Sequence, residues 1–158
     1  MTRLTTLFAL GLAVAPVSLH AQDSANAKKE RRQLEVVLSL DRRAAFDRIL
    51  ATYAAQEIPI ASASPEGGLV VGGPVEISHF GALKDNAFFR ATIIGGDSTT
   101  RVFLSATFAS NSDAAWRGAA TGVGSQAQEE VVTSKNKGDK GKVWKRLEEL
   151  AGHLRTGS

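Results

Sequence analysis

Between Leu34 and Leu40 apolar residues fall at every second position, Leu34, Val36, Leu38 and Leu40, with Glu35, Val37 and Ser39 between them, so one face of an extended segment is uniformly apolar. The period then changes. Phe46, Ile49, Leu50, Tyr53 and Ala54 recur at i, i+3, i+4, i+7 and i+8, one stripe of an amphipathic helix. Asp41 stands where its carboxylate accepts from the free N–H groups of the first turn, and Ile58-Pro59-Ile60 ends the helix and returns the chain to extended structure. Further on, Ala87–Ile94 and Arg101–Ala109 form the clearest pair of strands, joined by Gly95-Gly96-Asp97-Ser98-Thr99-Thr100, whose glycines suit a hairpin. In the second of these strands Val102, Leu104, Ala106 and Phe108 share one face, while Arg101, Phe103, Ser105 and Thr107 share the other, which is expected to meet water.

Leu69-Val70-Val71 begins another strand, interrupted by Gly72-Gly73-Pro74 before Val75–Ser78, so this segment is expected to be bulged, kinked or at a sheet edge. Ser64–Gly68 and Gly81–Asn86 read as turns. Near the C-terminus Val143, Leu147, Leu150, Ala151 and Leu154 make a second helical stripe with Trp144 beside it, predicting a helix from about residue 139 to residue 155. Residues 110–141 read as a long connection, with Val131-Val132 short enough for an edge strand and Lys135–Gly138 carrying turn composition. The pattern predicts an α+β fold: a two-layer sandwich of an antiparallel sheet, in the order β-α-β-β-β-β-α, with both helices packed on one face.

Composition adds an address. Residues 1–21 hold Arg3, the apolar run LFALGLAVAPV and a small residue, Ala21, ahead of polar Gln22-Asp23-Ser24, the form of a secretory signal peptide cleaved after Ala21. The apolar run falls short of the about 20 residues a membrane span needs, so no transmembrane span is expected after cleavage. The chain contains no cysteine, which removes both disulfide staples and the residue a bacterial lipoprotein uses for its lipid. The expected location is therefore periplasmic or secreted, with residues 22–33 as a polar tether and residues 34–155 as one domain. With 43% hydrophobic and 22% charged residues the chain is ordinarily globular. Its net charge of +3 is too small to argue for a nucleic-acid partner.

The strand from Leu34 to Leu40, the Asp41-headed helix with Phe46 and Tyr53, and the strands after Ile58 resemble the β-α-β-β modules of the BamC (NlpB/DapX) family of outer-membrane assembly lipoproteins. The resemblance covers about half the chain and departs from the family in the missing lipid-bearing cysteine. It implies a non-catalytic envelope module that binds protein partners.

Candidate chemistry is sparse. Gly122–Ala127 matches GxGxxA, but the residues before it do not read as the strand a dinucleotide fingerprint requires. His79 and His153 are too few for a zinc site without carboxylates at evident spacing. Ser78 and His79 are adjacent on a strand and point to opposite faces, so they do not act as nucleophile and base. Glu66 and Glu76 lack any spacing that marks an acid–base couple. No catalytic residue, cofactor or metal is expected. What stands out is charge: Lys135, Lys137, Lys140, Lys142, Lys145 and Arg146 against Asp139 within residues 135–146. With Trp116 and Arg117 in the glycine-rich stretch, these are the candidate partner-binding residues, for an envelope protein or anionic lipid headgroups. A carrier of a small hydrophobic ligand, with its pocket between sheet and helices, is the alternative.

Overall fold

The computed structural model describes residues 30–80, 83–111 and 129–157, with His79, Phe80 and Leu83 described in the backbone alone. Strand β1 (Leu34–Leu38) leads into helix α1 (Arg42–Ala55), followed by β2 (Ile60–Ser64), β3 (Leu69–Phe80), β4 (Leu83–Gly95), β5 (Thr100–Ala109), β6 (Glu129–Val131) and helix α2 (Gly138–Thr156). The strands form one antiparallel sheet in the order β1-β5-β4-β3-β2, and β6 also pairs with β5. The fold is the α+β class read from the sequence.

Each local device has a visible cause. Asp41 caps α1, its Oδ1 accepting from the Ala44 N–H at 2.7 Å. Ala45, Phe46, Ile49, Thr52 and Tyr53 form the buried stripe, while Ala54 faces water, so the helix is turned slightly from the expected stripe. Thr52 is tolerated inside because its hydroxyl donates to the Arg48 carbonyl at 2.8 Å. In β3 the register shifts between Gly72 and Val75, the expected bulge, but the strand lies inside the sheet between β2 and β4. Gly72 is required there: a Cβ would stand 2.5 Å from Ile58 and 2.7 Å from the Tyr53 ring. The turn expected over Gly81–Asn86 is shorter than its composition suggests, because Lys84, Asp85 and Asn86 pair with β3 as strand residues.

One sheet face is covered. Val36, Val70, Phe89, Ala91, Val102 and Leu104 meet Ile49 and Tyr53 of α1 and Leu147, Leu150 and Leu154 of α2 in a single core. The helices also touch each other, where Arg146 of α2 donates to the Gln56 carbonyl at 2.7 Å and Arg48 of α1 to the Leu154 carbonyl at 3.4 Å. No helix among the described residues is long and apolar enough to cross a membrane.

β5 is the hinge of the architecture. One side pairs with β4 throughout, while the other is shared, β1 taking Thr100–Leu104 and β6 taking Thr107–Ala109. The alternation of Val102, Leu104, Ala106 and Phe108 inward is as read from the sequence, but Phe103, Ser105 and Thr107 on the other face are half-buried rather than open to water. The last part of the connection expected to run to Gly141 is regular structure. After β6 the Val132 N–H donates to the Ala106 carbonyl at 2.9 Å and its side chain is fully buried.

Tyr53 is a costly choice for the core. Its ring is fully buried, its hydroxyl has no hydrogen-bond partner, and burial raises its pKa well above the usual phenol value. An orphaned buried hydroxyl costs about 1–3 kcal/mol. Tyr53→Phe is therefore expected to leave unfolding stability unchanged or to raise it by about 1 kcal/mol in urea titration. Gly72→Ala, pressed on the same ring, is expected to lower it by about 1–3 kcal/mol.

Candidate functional site

The start of α2 gathers most of the sequence-predicted basic residues, but it does not use them alike. Lys137 is the N-cap residue and makes no side-chain cap bond, and Asp139 sits in the first turn. Lys140 is held by Glu130 of β6 at 2.6 Å, and Lys142 by Asp139 at 2.7 Å. Arg146 leans the other way and binds α1 through the Gln56 carbonyl. Lys145 and Arg146 are neighbours in sequence, yet a helix turns about 100° per residue, which places them on different faces. Lys135, Lys137 and Lys145 are exposed and have no carboxylate partner among the described residues. Trp116 and Arg117 lie outside the described residues, as does the Gly122–Ala127 motif.

Arg31, in the polar segment before β1, completes the site. The Arg31 N–H donates to Ser134 Oγ at 2.9 Å, and the Ser134 N–H donates to the Arg31 carbonyl at 2.8 Å. This two-way bond lies just beyond the ends of β1 and β6, where both run along β5. It lays the Arg31 guanidinium over the Trp144 ring, 5.9 Å from the centroid and 3.8 Å from Glu148. Glu148 also accepts from the Trp144 indole N–H at 2.8 Å. Trp144 is 5% exposed and belongs to the core, with the Arg31 guanidinium over its ring. No sequence signal marks this contact: Arg31 and Ser134 are 103 positions apart, and neither belongs to a periodic segment.

Between these parts lies a depression of about 430 Å³ walled by Arg31, Ser134, Asn136, the first turns of α2, Trp144, Lys145 and Glu148. Four cations, Arg31, Lys137, Lys142 and Lys145, border it against the single carboxylate of Glu148. The turn beneath is tied by the Thr133 N–H donating to Asn136 Oδ1 at 2.6 Å and the Asn136 N–H donating to the Thr133 carbonyl at 3.1 Å.

Behind the depression a polar seam joins helix to sheet. Ser78 Oγ is 2.9 Å from Asp139 and 3.1 Å from Asp85, and Ser110 Oγ is 3.1 Å from the other Asp85 oxygen. Hydrogen bonding from Lys142 and then Ser78 holds the Asp139 carboxyl below its usual range. The seam is held together by its own hydrogen bonds. It contains no imidazole among its described members, Glu76 is paired with Lys84 at 2.7 Å, and Glu66 lies in the β2–β3 turn with its carbonyl bound by Arg42. Among the described residues no three His, Cys, Asp or Glu side chains come close enough to hold a metal ion.

A second depression, about 270 Å³, lies on the uncovered sheet face against Val71, Phe88, Arg90, Thr107, Glu129 and Val131. It contains none of the sequence-predicted residues.

Fold and site together define a two-layer α+β protein with a basic surface at one helix start. No family model matches the chain, and no curated protein is significantly similar to it.

The lowered Asp139 pKa gives a pH prediction with a definite sign. A carboxyl whose folded pKa lies below its unfolded value contributes stability above the unfolded value, near 4, and that contribution is lost as pH falls through the folded value. Urea midpoints measured from pH 7 downwards are expected to fall below about pH 4 for the native chain, and Asp139→Asn to flatten part of that fall.

Proposed function

We propose that this protein is a non-catalytic, exported module that binds an anionic component of the cell envelope, a protein or a lipid surface, through the basic surface at the start of α2. The observation that carries the reading is the set of exposed lysines without ion pairs among the described residues, Lys135, Lys137 and Lys145, of which Lys137 and Lys145 border one depression with Arg31. Lys140 and Lys142, by contrast, are matched by the carboxylates of Glu130 and Asp139. Unmatched ones leave a positive potential that attracts an acidic partner and weakens with salt. Export rests on the leader-like residues 1–21, and the resemblance to BamC-type modules is in keeping with a partner-binding role in the envelope.

The experiment is retention of envelope components on the protein produced from its full chain, beside the variant Lys135→Gln, Lys137→Gln, Lys145→Gln. Retention is expected at about 0.01 M salt, where charges act over about 30 Å, and loss at about 1 M, where they act over about 3 Å. The triple variant is expected to retain nothing at either. Equal retention by the variant, or retention indifferent to salt, contradicts the proposal.

A further inference from the structure

The depression beside α2 has more chemistry than a diffuse positive patch needs. Asn136 shows this most clearly. Its Oδ1 accepts from the Thr133 N–H at 2.6 Å, which fixes the orientation of the amide and leaves its Nδ2 group as a donor with no protein partner among the described residues. Asn136 lines the depression, as do Arg31, Lys137, Lys142 and Lys145. The donors come from three separate pieces of chain: the segment before β1, the turn after β6 and the first turns of α2. They therefore surround a ligand instead of presenting one flat row of charge. Arg31 is held in place by its main chain on Ser134 and by its guanidinium between Trp144 and Glu148, so one wall is pre-set before any ligand arrives.

We propose that this depression binds a phosphate group, with Asn136 Nδ2 and the Arg31, Lys137 and Lys145 cations as its donors. The inference rests on the basic-surface reading and narrows it to one ligand chemistry. With Lys142 held by Asp139, the cations Arg31, Lys137 and Lys145 against Glu148 leave an excess of two positive charges, which matches a dianion, and oxygens arranged tetrahedrally can accept from donors on several sides at once. A volume of about 430 Å³ leaves room beside the phosphate for part of whatever it esterifies. Lysines act here as point charges and the fixed amide supplies direction.

The Trp144 indole N–H, bonded to Glu148 at the depression, is the reporter, and a Trp116→Phe background identifies its NMR resonance. The full-length protein is titrated with inorganic phosphate, with phosphatidylcholine vesicles carrying phosphatidic acid, and with phosphatidylcholine vesicles alone. Two variants carry the same charge change. Asn136→Asp keeps the oxygen that accepts from Thr133 but replaces the Nδ2 donor with a second carboxylate oxygen; Lys135→Gln removes a charge that does not line the depression. A saturable Trp144 shift is expected, weakened at least about tenfold by Asn136→Asp and about twofold or less by Lys135→Gln. A shift with inorganic phosphate identifies the free ion as sufficient, and a shift with phosphatidic acid vesicles alone identifies the lipid headgroup. Absence of a shift with all three overturns the site, as does an equal loss in the two variants. Salt-sensitive envelope binding that survives such a result leaves the basic-surface reading standing and removes only the phosphate site.

Discussion

The structure depends on β5 being buried on one face along its whole length while its outer side is divided between two other strands. Val102, Leu104, Ala106 and Phe108 supply its inward face, on which α2 packs, while α1 lies over the neighbouring β4 and β3 within the same core. A slip of one residue would turn all four outward, so register is strongly specified. Once register is set, β1 and β6 meet end to end along the same side of β5, one before Leu104 and one after Ala106. That meeting point is where Arg31 and Ser134 exchange hydrogen bonds. The basic surface is thus a consequence of how the sheet is shared out, and Trp144, rooted in the core, carries it.

The parts of the fold legible in the sequence are those in which a period repeats. β1, α1, the β4–β5 hairpin and α2 each bury a face through several turns or pleats, and a residue such as Leu147 or Val102 has only one side to go. β6 is three exposed residues, Glu129–Val131, and its place is set by pairing with Thr107–Ala109, which no local pattern encodes. The Gly72–Pro74 interruption announced a bulge but not its position between β2 and β4. That depends on Tyr53 and Ile58 filling the space a side chain at Gly72 would take.

The candidate site was legible as charge and illegible as geometry. The run from Lys135 to Arg146 is plain in sequence, but its members divide according to what lies opposite each one. Glu130 claims Lys140, Asp139 claims Lys142, and the end of α1 claims Arg146. What remains is Lys135, Lys137 and Lys145, with Arg31 contributed from the segment just before β1. Asn136, uncharged and inside a turn by composition, gave no reason to be singled out; its value comes from the Thr133 bond that orients it.

On the proposed function the working surface lies at the junction of the Arg31 segment with α2, on the edge of the sheet, and not on its uncovered face. Mapping backbone amide shifts while the protein is titrated with anionic lipid micelles addresses this directly. Perturbations are expected to concentrate at Arg31, Ser134, Asn136, Lys137 and Lys142–Lys145 and to fade as salt is raised. Perturbations concentrated instead at Val71, Phe88, Arg90, Thr107 and Val131 would place the interaction on the open sheet face and contradict the proposed function.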